Sequence, residues 1–351
     1  MTAAKKKNSR RKQARFRSSR RKRIRNTVLL LLLLVVLGGT GIGAIYVLRN
    51  GTVFDKLEDA YVASREFSGG ITDLDSLRAG GFAENLCVVV SDVPMDGVSL
   101  GENQKGLLLD LDDRKVLYSK QALQKVYPAS ITKIMTAMLA LKYGNMDDVV
   151  TITQENLNLE EGSQVCGFWA GDQVTMDQLL HCLLVYSGND AATAIAEHVG
   201  GSTDGFVEMM NSYARELGCT GTHFTNPHGL QDENHYTTPY DIYLMLKEAL
   251  NYPEFTQITQ SGSYTVEYTH ADGSSASTTL LATDHYLTGE ATPPKNVTIL
   301  GGKTGTTDNA GNCLALLSQN AYGKPYISIV MGASTKDELY EQMSSLLQNI
   351  N

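Results

Sequence analysis

The chain has 351 residues and a formal net charge of −8, enough length for one large domain or two smaller ones. The charge is unevenly placed: residues 1–26 hold 13 of the 30 Lys and Arg and no acid, whereas residues 50–351 carry 16 basic groups against all 38 acids, a net of −22. So acidic a body lacks the basic face of a phosphate-backbone binder, which argues against nucleic acid as a partner.

Between tail and body, TVLLLLLLVVLGGTGIGAIYVL (27–48) carries no charge. As a helix it would be about 33 Å long, enough for the hydrocarbon core of a bilayer. The basic flank marks the cytoplasmic side. The sequence therefore predicts a single-pass cell-membrane protein with a cytoplasmic tail (1–26), an uncleaved transmembrane signal-anchor (27–48) and an extracytoplasmic body. A cleaved signal peptide has a shorter apolar region ending in an A-x-A-like site, and cleavage after Ala44 would set Ile42 at the −3 position. Topology and anionic lipid headgroups account for the basic tail without nucleic acid. Gly39 and Gly43 form a GxxxG pair, readable as a dimerisation signal or as plain helix composition.

Residues 49–84 read as a stalk or linker, with a short helix in FDKLEDAYVASREF and a glycine-bounded loop after it. From Leu86 the pattern turns to strands: LCVVVSDV, then GLLLDL and KVLYSK as a hairpin around DDR. After Pro128 the chain is mainly helical. KIMTAMLALKYG, TMDQLLHCLLVYS and DAATAIAEHVG have helical apolar spacing, GFVEMMNSYARELG ends in a glycine stop, and Thr238 is a natural N-cap for PYDIYLMLKEALN. Strand signals return in VTILGGKTG, NCLALLSQ and PYISIVMGA, and TKDELYEQMSSLLQNI closes the chain as a helix. A hairpin, a helical middle and late strands predict one α/β domain over 85–351, with a mixed sheet assembled from both ends. Five cysteines (87, 166, 182, 219, 313) have no CxxC or Cys/His metal spacing, and an odd number cannot all pair within one chain. Buried thiols and an exported disulfide framework both stay open.

Ser130 and Lys133 sit three apart at the mouth of an apolar helix. Spacing alone is weak, since Ser19 and Lys22 also match S-x-x-K, and Ser318 with Asn320 matches S-x-N. Order and context carry the signal. Ser187-Gly188-Asn189 lies in a loop between two helices, and Lys303-Thr304-Gly305 follows a β run. An S-x-x-K, an S-x-N and a K-T-G in this order form the set of active-site-serine penicillin-binding enzymes.

On these motifs the chain resembles the serine-type D-alanyl-D-alanine carboxypeptidases, the low-molecular-weight penicillin-binding proteins, over most of residues 85–350. YPASITKIMTA, EGSQVCGFWAGDQVTMDQLLHCLLVYSGNDAA, FTNPHGLQDENHYTTPYDI and GGKTGTTDNAG all read like segments of that family. The resemblance implies a β-lactamase/transpeptidase-like α/β fold, an antiparallel sheet packed against a helical cluster. It also implies peptidoglycan stem peptides ending in D-Ala-D-Ala as substrate, and acylation by β-lactam antibiotics. It further implies that the backbone N–H groups of Ser130 and Thr306 form the oxyanion site. The chain departs from the pattern at Gly302, where an aliphatic residue is more usual, at Cys166, often a leucine, and in having its anchor in front.

The chemistry follows from residue type. Hydrolysing an amide through a serine needs a base, an oxyanion site and an acid for the leaving amine. Lys133 is within reach of Ser130, and burial plus the second cation Lys303 would favour its neutral, basic form. Ser187 suits a proton shuttle to the leaving nitrogen, and Asn189 a donor to the substrate's peptide carbonyl. Lys303, Thr304 and Thr306 suit a terminal carboxylate, offering one positive charge and hydroxyls on an exposed strand that can also pair with the substrate backbone. Gly305, with no side chain, would let a substrate approach closely. His228 in NPHGL reads as a loop-stabilising residue, and His181 and His198 as packed or exposed. No metal site and no cofactor are expected.

Three alternatives remain. A class A-like β-lactamase needs an E-x-x-L-N glutamate after the S-x-N loop, and ENLN at 155–158 has the wrong spacing and precedes Ser187. A D,D-endopeptidase would use the same groups. A catalytically silent β-lactam or peptidoglycan sensor would have to signal through a tail too short to fold.

Overall fold

The computed structural model describes residues 85–350, so the basic tail, the 27–48 span and the 49–84 stalk lie outside the described residues. Among the described residues no helix is long and apolar enough to cross a membrane. The strands are β1 (Lys105–Asp110), β2 (Lys115–Lys120), β3 (Val149–Thr151), β4 (Gln173–Thr175), β5 (Ser263–Thr269), β6 (Ser275–Leu281), β7 (Thr298–Thr307), β8 (Gly311–Gln319) and β9 (Pro325–Ala333). The helices are α1 (Lys133–Tyr143), α2 (Met176–His181), α3 (Asn189–Gly200), α4 (Thr203–Glu216), α5 (Pro239–Ala249), α6 (Pro253–Thr259), α7 (His285–Thr288) and α8 (Lys336–Leu347).

The larger sheet runs β2-β1-β9-β8-β7. Its two halves do come from opposite ends of the domain, with β9 returning beside β1 so that Lys105 faces Met331 and Asp110 faces Tyr326. All its pairs are antiparallel, as the family resemblance implies, rather than mixed as the order of elements alone suggests. Tight hairpins join β1 to β2, β7 to β8 and β8 to β9, and such turns can only reverse the chain. Side chains alternate across the strands. Leu107, Leu109, Ala315, Leu317, Ile327 and Ile329 join the core under the helical lobe, while Leu108, Leu314, Leu316 and Val330 meet Leu339, Met343, Leu346 and Leu347 of α8. Both faces are covered, which is why these strands read as continuous apolar runs.

LCVVVSDV is not a strand. It makes a single bridge, Val93 to Ser119. Side chains satisfy its start instead: Cys87 N donates to the Tyr243 hydroxyl (2.9 Å), and the Tyr240 hydroxyl donates to Cys87 O (2.9 Å). Val88 and Val90 are exposed, so the β-like composition had no sheet to join. A second sheet, β3-β4-β5-β6, was not foreseen within the helical stretch. Its β5–β6 hairpin is rich in Ser and Thr and buries little beyond Val266 and Leu280, so it lacks the apolar alternation that betrays a strand.

In the helical lobe α1 is central, and every residue from Lys133 to Ala140 is buried. A helix apolar on all sides belongs in the interior. It packs against α3, α4 and α5. Thr238 caps α5 as expected, accepting from Asp241 N at 3.0 Å with Pro239 in the first turn. Strand β7 lies at the edge of the larger sheet, beside the turn that opens α1.

Candidate active site

Ser130 lies in a 3-10 turn, Ala129–Thr132, that leads into α1. Ala129 has a φ of +47°, a left-handed conformation strained for a residue with a Cβ. The turn is pinned around it. The Thr132 hydroxyl donates to Ala129 O (2.8 Å) and lies 2.8 Å from His235 Nε2. Gly229, at φ +91°, presses against it so closely that a Cβ would come 1.9 Å from Ala129 O. The fold thus holds the serine on an over-determined bend.

Lys133 is fully buried, and its Nζ meets three oxygens: Ser130 Oγ at 2.9 Å, Asn189 Oδ1 at 2.6 Å and His228 O at 2.8 Å. Burial, and then the nearby charge of Lys303, hold its pKa well below the usual lysine range, with Cys166 and Asp190 opposing.

Ser187 and Asn189 come from the turn between the π-helical segment Cys182–Tyr186 and α3. Ser187 has a φ of +71°, and its Oγ is buried without a hydrogen-bond partner. The turn is held by backbone bonds, Gly188 N to Cys182 O (3.1 Å) and Asn189 N to Gln164 O (2.8 Å). Below it the buried Asp190 carboxylate accepts from Cys166 N at 2.8 Å and Gly167 N at 3.3 Å. Because Asn189 Oδ1 is taken by Lys133, its amide NH2 is the part left to face the cleft.

The β7 residues differ in part from expectation. Lys303 is not an exposed charge: it is 1% exposed and donates to Thr304 O at 3.0 Å. Burial brings its pKa down to about 7, offset in part by Asp284. Thr304 Oγ1 lies 2.5 Å from Thr283 Oγ1, and Thr306 Oγ1 donates to Asn312 Oδ1 at 3.2 Å. The missing Cβ of Gly305 does not simply make room for substrate. One there would lie 2.9 Å from Ser130 N and 3.0 Å from Pro128 O, so the glycine lets β7 dock against the serine's own turn.

Ser130, Ser187, Asn189, Thr304, Gly305 and Thr306 line one cleft of about 350 Å³, with Lys133 and Lys303 buried behind it. Sequence reasoning missed Gln164, Thr283, Leu230 and Tyr340, which also line it. Gln164 precedes the S-x-N loop by more than a turn of helix and a strand, and Thr283 sits in an unremarked bend, so neither carried a local signal. His228 supports its loop, with Nδ1 accepting from Leu230 N (3.1 Å) and burial lowering its pKa to about 3. Its contribution to the site is a carbonyl, which sequence could not reveal. His181 stacks on Tyr264 and His198 lies 2.9 Å from Asp148. Glu155 is exposed and does not line the cleft. All five cysteines are buried free thiols. Among the described residues no group of three or more His, Cys, Asp and Glu could hold a metal ion.

An antiparallel sheet, a helical lobe and a serine–lysine cleft at the sheet's edge define a DD-transpeptidase-like fold. The crystal structure of the Streptomyces K15 DD-transpeptidase is similar with a TM-score of 0.65 and 26% identity, covering 74% of this chain and 98% of that one. A D-alanyl-D-alanine carboxypeptidase from Mycobacterium tuberculosis is similar with a TM-score of 0.63 and 28% identity, covering 73% and 92%. The family model for D-alanyl-D-alanine carboxypeptidases matches residues 101–335, and the chain belongs to that family. The D-alanyl-D-alanine carboxypeptidase DacF of Bacillus subtilis is 36% identical over 251 residues, 70% of this chain and 61% of the relative. The chain spans about three fifths of the length of the curated relatives it matches.

Proposed function

We propose that this chain is a serine D,D-peptidase that removes the terminal D-Ala from peptidoglycan stem peptides through an acyl-enzyme on Ser130, and that penicillins acylate the same serine. The observation that carries this reading is the set of three oxygens around Lys133 Nζ. A neutral amine has two N–H bonds and one lone pair. Asn189 Oδ1 and His228 O can only accept, so they take both N–H bonds, and the lone pair is left for the Ser130 hydroxyl.

In the first step Lys133 takes the Ser130 proton while Oγ bonds to the carbonyl carbon of the penultimate D-Ala. The oxyanion is met by the N–H groups of Ser130 and Thr306. As the C–N bond breaks, the leaving amine takes a proton delivered through Ser187. Water then attacks the ester, Oγ regains a proton, and the shortened peptide leaves. The Asn189 amide holds the peptide carbonyl. Lys303, Thr304 and Thr306 hold the terminal carboxylate, with β7 as an edge strand for the substrate backbone. The 27–48 span would anchor the chain in the cell membrane with the cleft outside the cytoplasm, and protease treatment of intact cells tests that orientation.

The decisive experiment incubates the protein with a penicillin, digests it and measures peptide masses. The acyl mass is expected on the peptide holding Ser130 and is lost in Ser130→Ala. An adduct elsewhere, or none, defeats the assignment. Product masses separate the two peptidase readings: loss of one D-Ala marks a carboxypeptidase, and conversion of cross-linked dimers to monomers marks an endopeptidase.

A further inference from the structure

Trp169, the chain's single tryptophan, is 66% exposed, yet its indole is backed by the protein. One face of its indole lies on the His270 imidazole, ring centres 4.8 Å apart and 20° from parallel. The buried Asp172 carboxylate ties both partners down: Oδ2 accepts from Trp169 N at 2.8 Å, and Oδ1 lies 2.7 Å from His270 Nδ1. Behind them Tyr268 meets His270 edge-on at 5.4 Å, and Phe168 meets Tyr268 edge-on at 5.2 Å. The loop closes through Gly171 at φ +93°, where a Cβ would come 2.7 Å from Ala271 Cβ. Scattered exposed apolar residues are normal on a surface. An indole stacked on a histidine that is clamped by a buried carboxylate and backed edge-on by two further rings, ending in a bare indole face, is a built platform.

A groove of about 610 Å³ begins one residue from His270 on β5. It is lined by hydroxyls and carboxamides, among them Gln173, Thr269, Ser275 and Ser277, with Glu267 as its one charged group. Flat aromatic faces beside neutral hydrogen-bonding groups suit sugar rings, which offer C–H faces, hydroxyls and acetamido groups. The surroundings disfavour a bilayer: Glu267 and Asp272 are exposed acids, which would be repelled by anionic lipid. Trp169 also follows the cleft residue Gln164 by five positions, at most about 18 Å of extended chain, the reach of a stem peptide of about five residues.

We propose that Trp169, backed by His270, and the adjoining hydroxyl-lined groove bind the N-acetylated glycan strand from which the stem peptide in the cleft hangs. The proposal rests on the peptidase reading for its geometry, but its test does not. Because Trp169 is the only tryptophan, indole fluorescence of the full chain reports this site alone. A β-1,4-linked N-acetylglucosamine tetramer should change the emission saturably, and maltotetraose should not. Trp169→Ala should lower retention on peptide-stripped glycan strands by about tenfold or more, the size expected for one lost aromatic contact. Trp169→Phe should restore most of it. Turnover of a short soluble D-Ala-D-Ala peptide should be unchanged in both variants, which also reports that they fold. His270→Ala, which keeps the indole but removes its backing, should weaken the tetramer response if Trp169→Ala does not fold. The proposal fails if the tetramer leaves the emission unchanged, if Trp169→Ala binds glycan as the parent does, or if only anionic phospholipid vesicles shift the emission. Loss of soluble-peptide turnover in the parent would instead overturn the peptidase reading and leave the glycan site standing.

Discussion

Two buried lysines set the chemistry at the residue scale, and each works against stability. Lys303 titrates near pH 7 in the folded chain because burial disfavours its charge, whereas an unfolded lysine titrates near 10.5. Its folded pKa is depressed, so between about pH 7 and 10.5 the unfolded chain binds the extra proton and stability rises with pH. The destabilisation is greatest below pH 7 and gone above the unfolded pKa. Lys303→Met should therefore raise the melting temperature at neutral pH, by the equivalent of a few kcal/mol at most, and lose the gain at alkaline pH. Calorimetric scans across pH check this. The same variant should abolish a limb of the activity profile. In the parent, kcat/KM for a D-Ala-D-Ala peptide should fall as pH rises through about 7 and Lys303 loses the charge that holds the carboxylate. Lys133→Met should slow penicillin acylation by at least about a hundredfold, the contribution typical of a positioned base, and any stability gained from the lost charge is offset because Asn189 Oδ1 and His228 O lose their donor. A Lys133→Met protein that still acylates at the parent rate would remove the base assigned to Ser130.

At the scale of elements the site is a docking of β7 against the turn before α1, and Gly305 is where they touch. Gly305→Ala would place a Cβ 2.9 Å from Ser130 N and 3.0 Å from Pro128 O, both backbone atoms that cannot rotate away. The strand must shift, at a cost of about 1–3 kcal/mol typical of overpacking. Acylation should fall by about tenfold or more, with cooperative unfolding retained; stopped-flow acylation and urea titration measure the two effects. Gly302 has a constraint of its own, against β8. A Cβ there would lie 2.2 Å from Ala315 O, and the β7–β8 register slips between Ile299 and Gly301, just ahead of Lys303. The irregularity falls just before Gly302, which is itself paired in register with Leu316. Motif order in the sequence was enough to say that Ser130, Ser187 and Lys303 converge, because three short signatures in the right succession are rare together. It could not say which way Gly305 faces, since glycine carries no side chain to have a pattern.

For the whole molecule, legibility tracked burial. The three late strands and α5 were readable from apolar runs and a capping threonine. The β3–β6 sheet was not, because SYTVEYT and SASTTLL spend most of their side chains on water. LCVVVSDV failed in the opposite sense, with a strand's composition but no neighbour beyond one bridge. The cysteines are the case where counting left two readings, and the fold decides by burial. All five thiols are enclosed and unpaired. Burial pushes the pKa of Cys87 and Cys219 up, and that of Cys313 up to about 12. For Cys166 a hydrogen bond with the Cys182 thiol comes first and burial second, both raising it. The thiolate is the reactive form, so these groups should be inert while the chain is folded. A thiol reagent at pH 8 should label essentially none of them in the native protein and all five after denaturation. The melting temperature should not change when a reductant is added, because no cross-link constrains the unfolded chain. A reductant-dependent fall in melting temperature, or fewer than five thiols in denaturant, would mean that the purified protein carries a disulfide this fold does not contain.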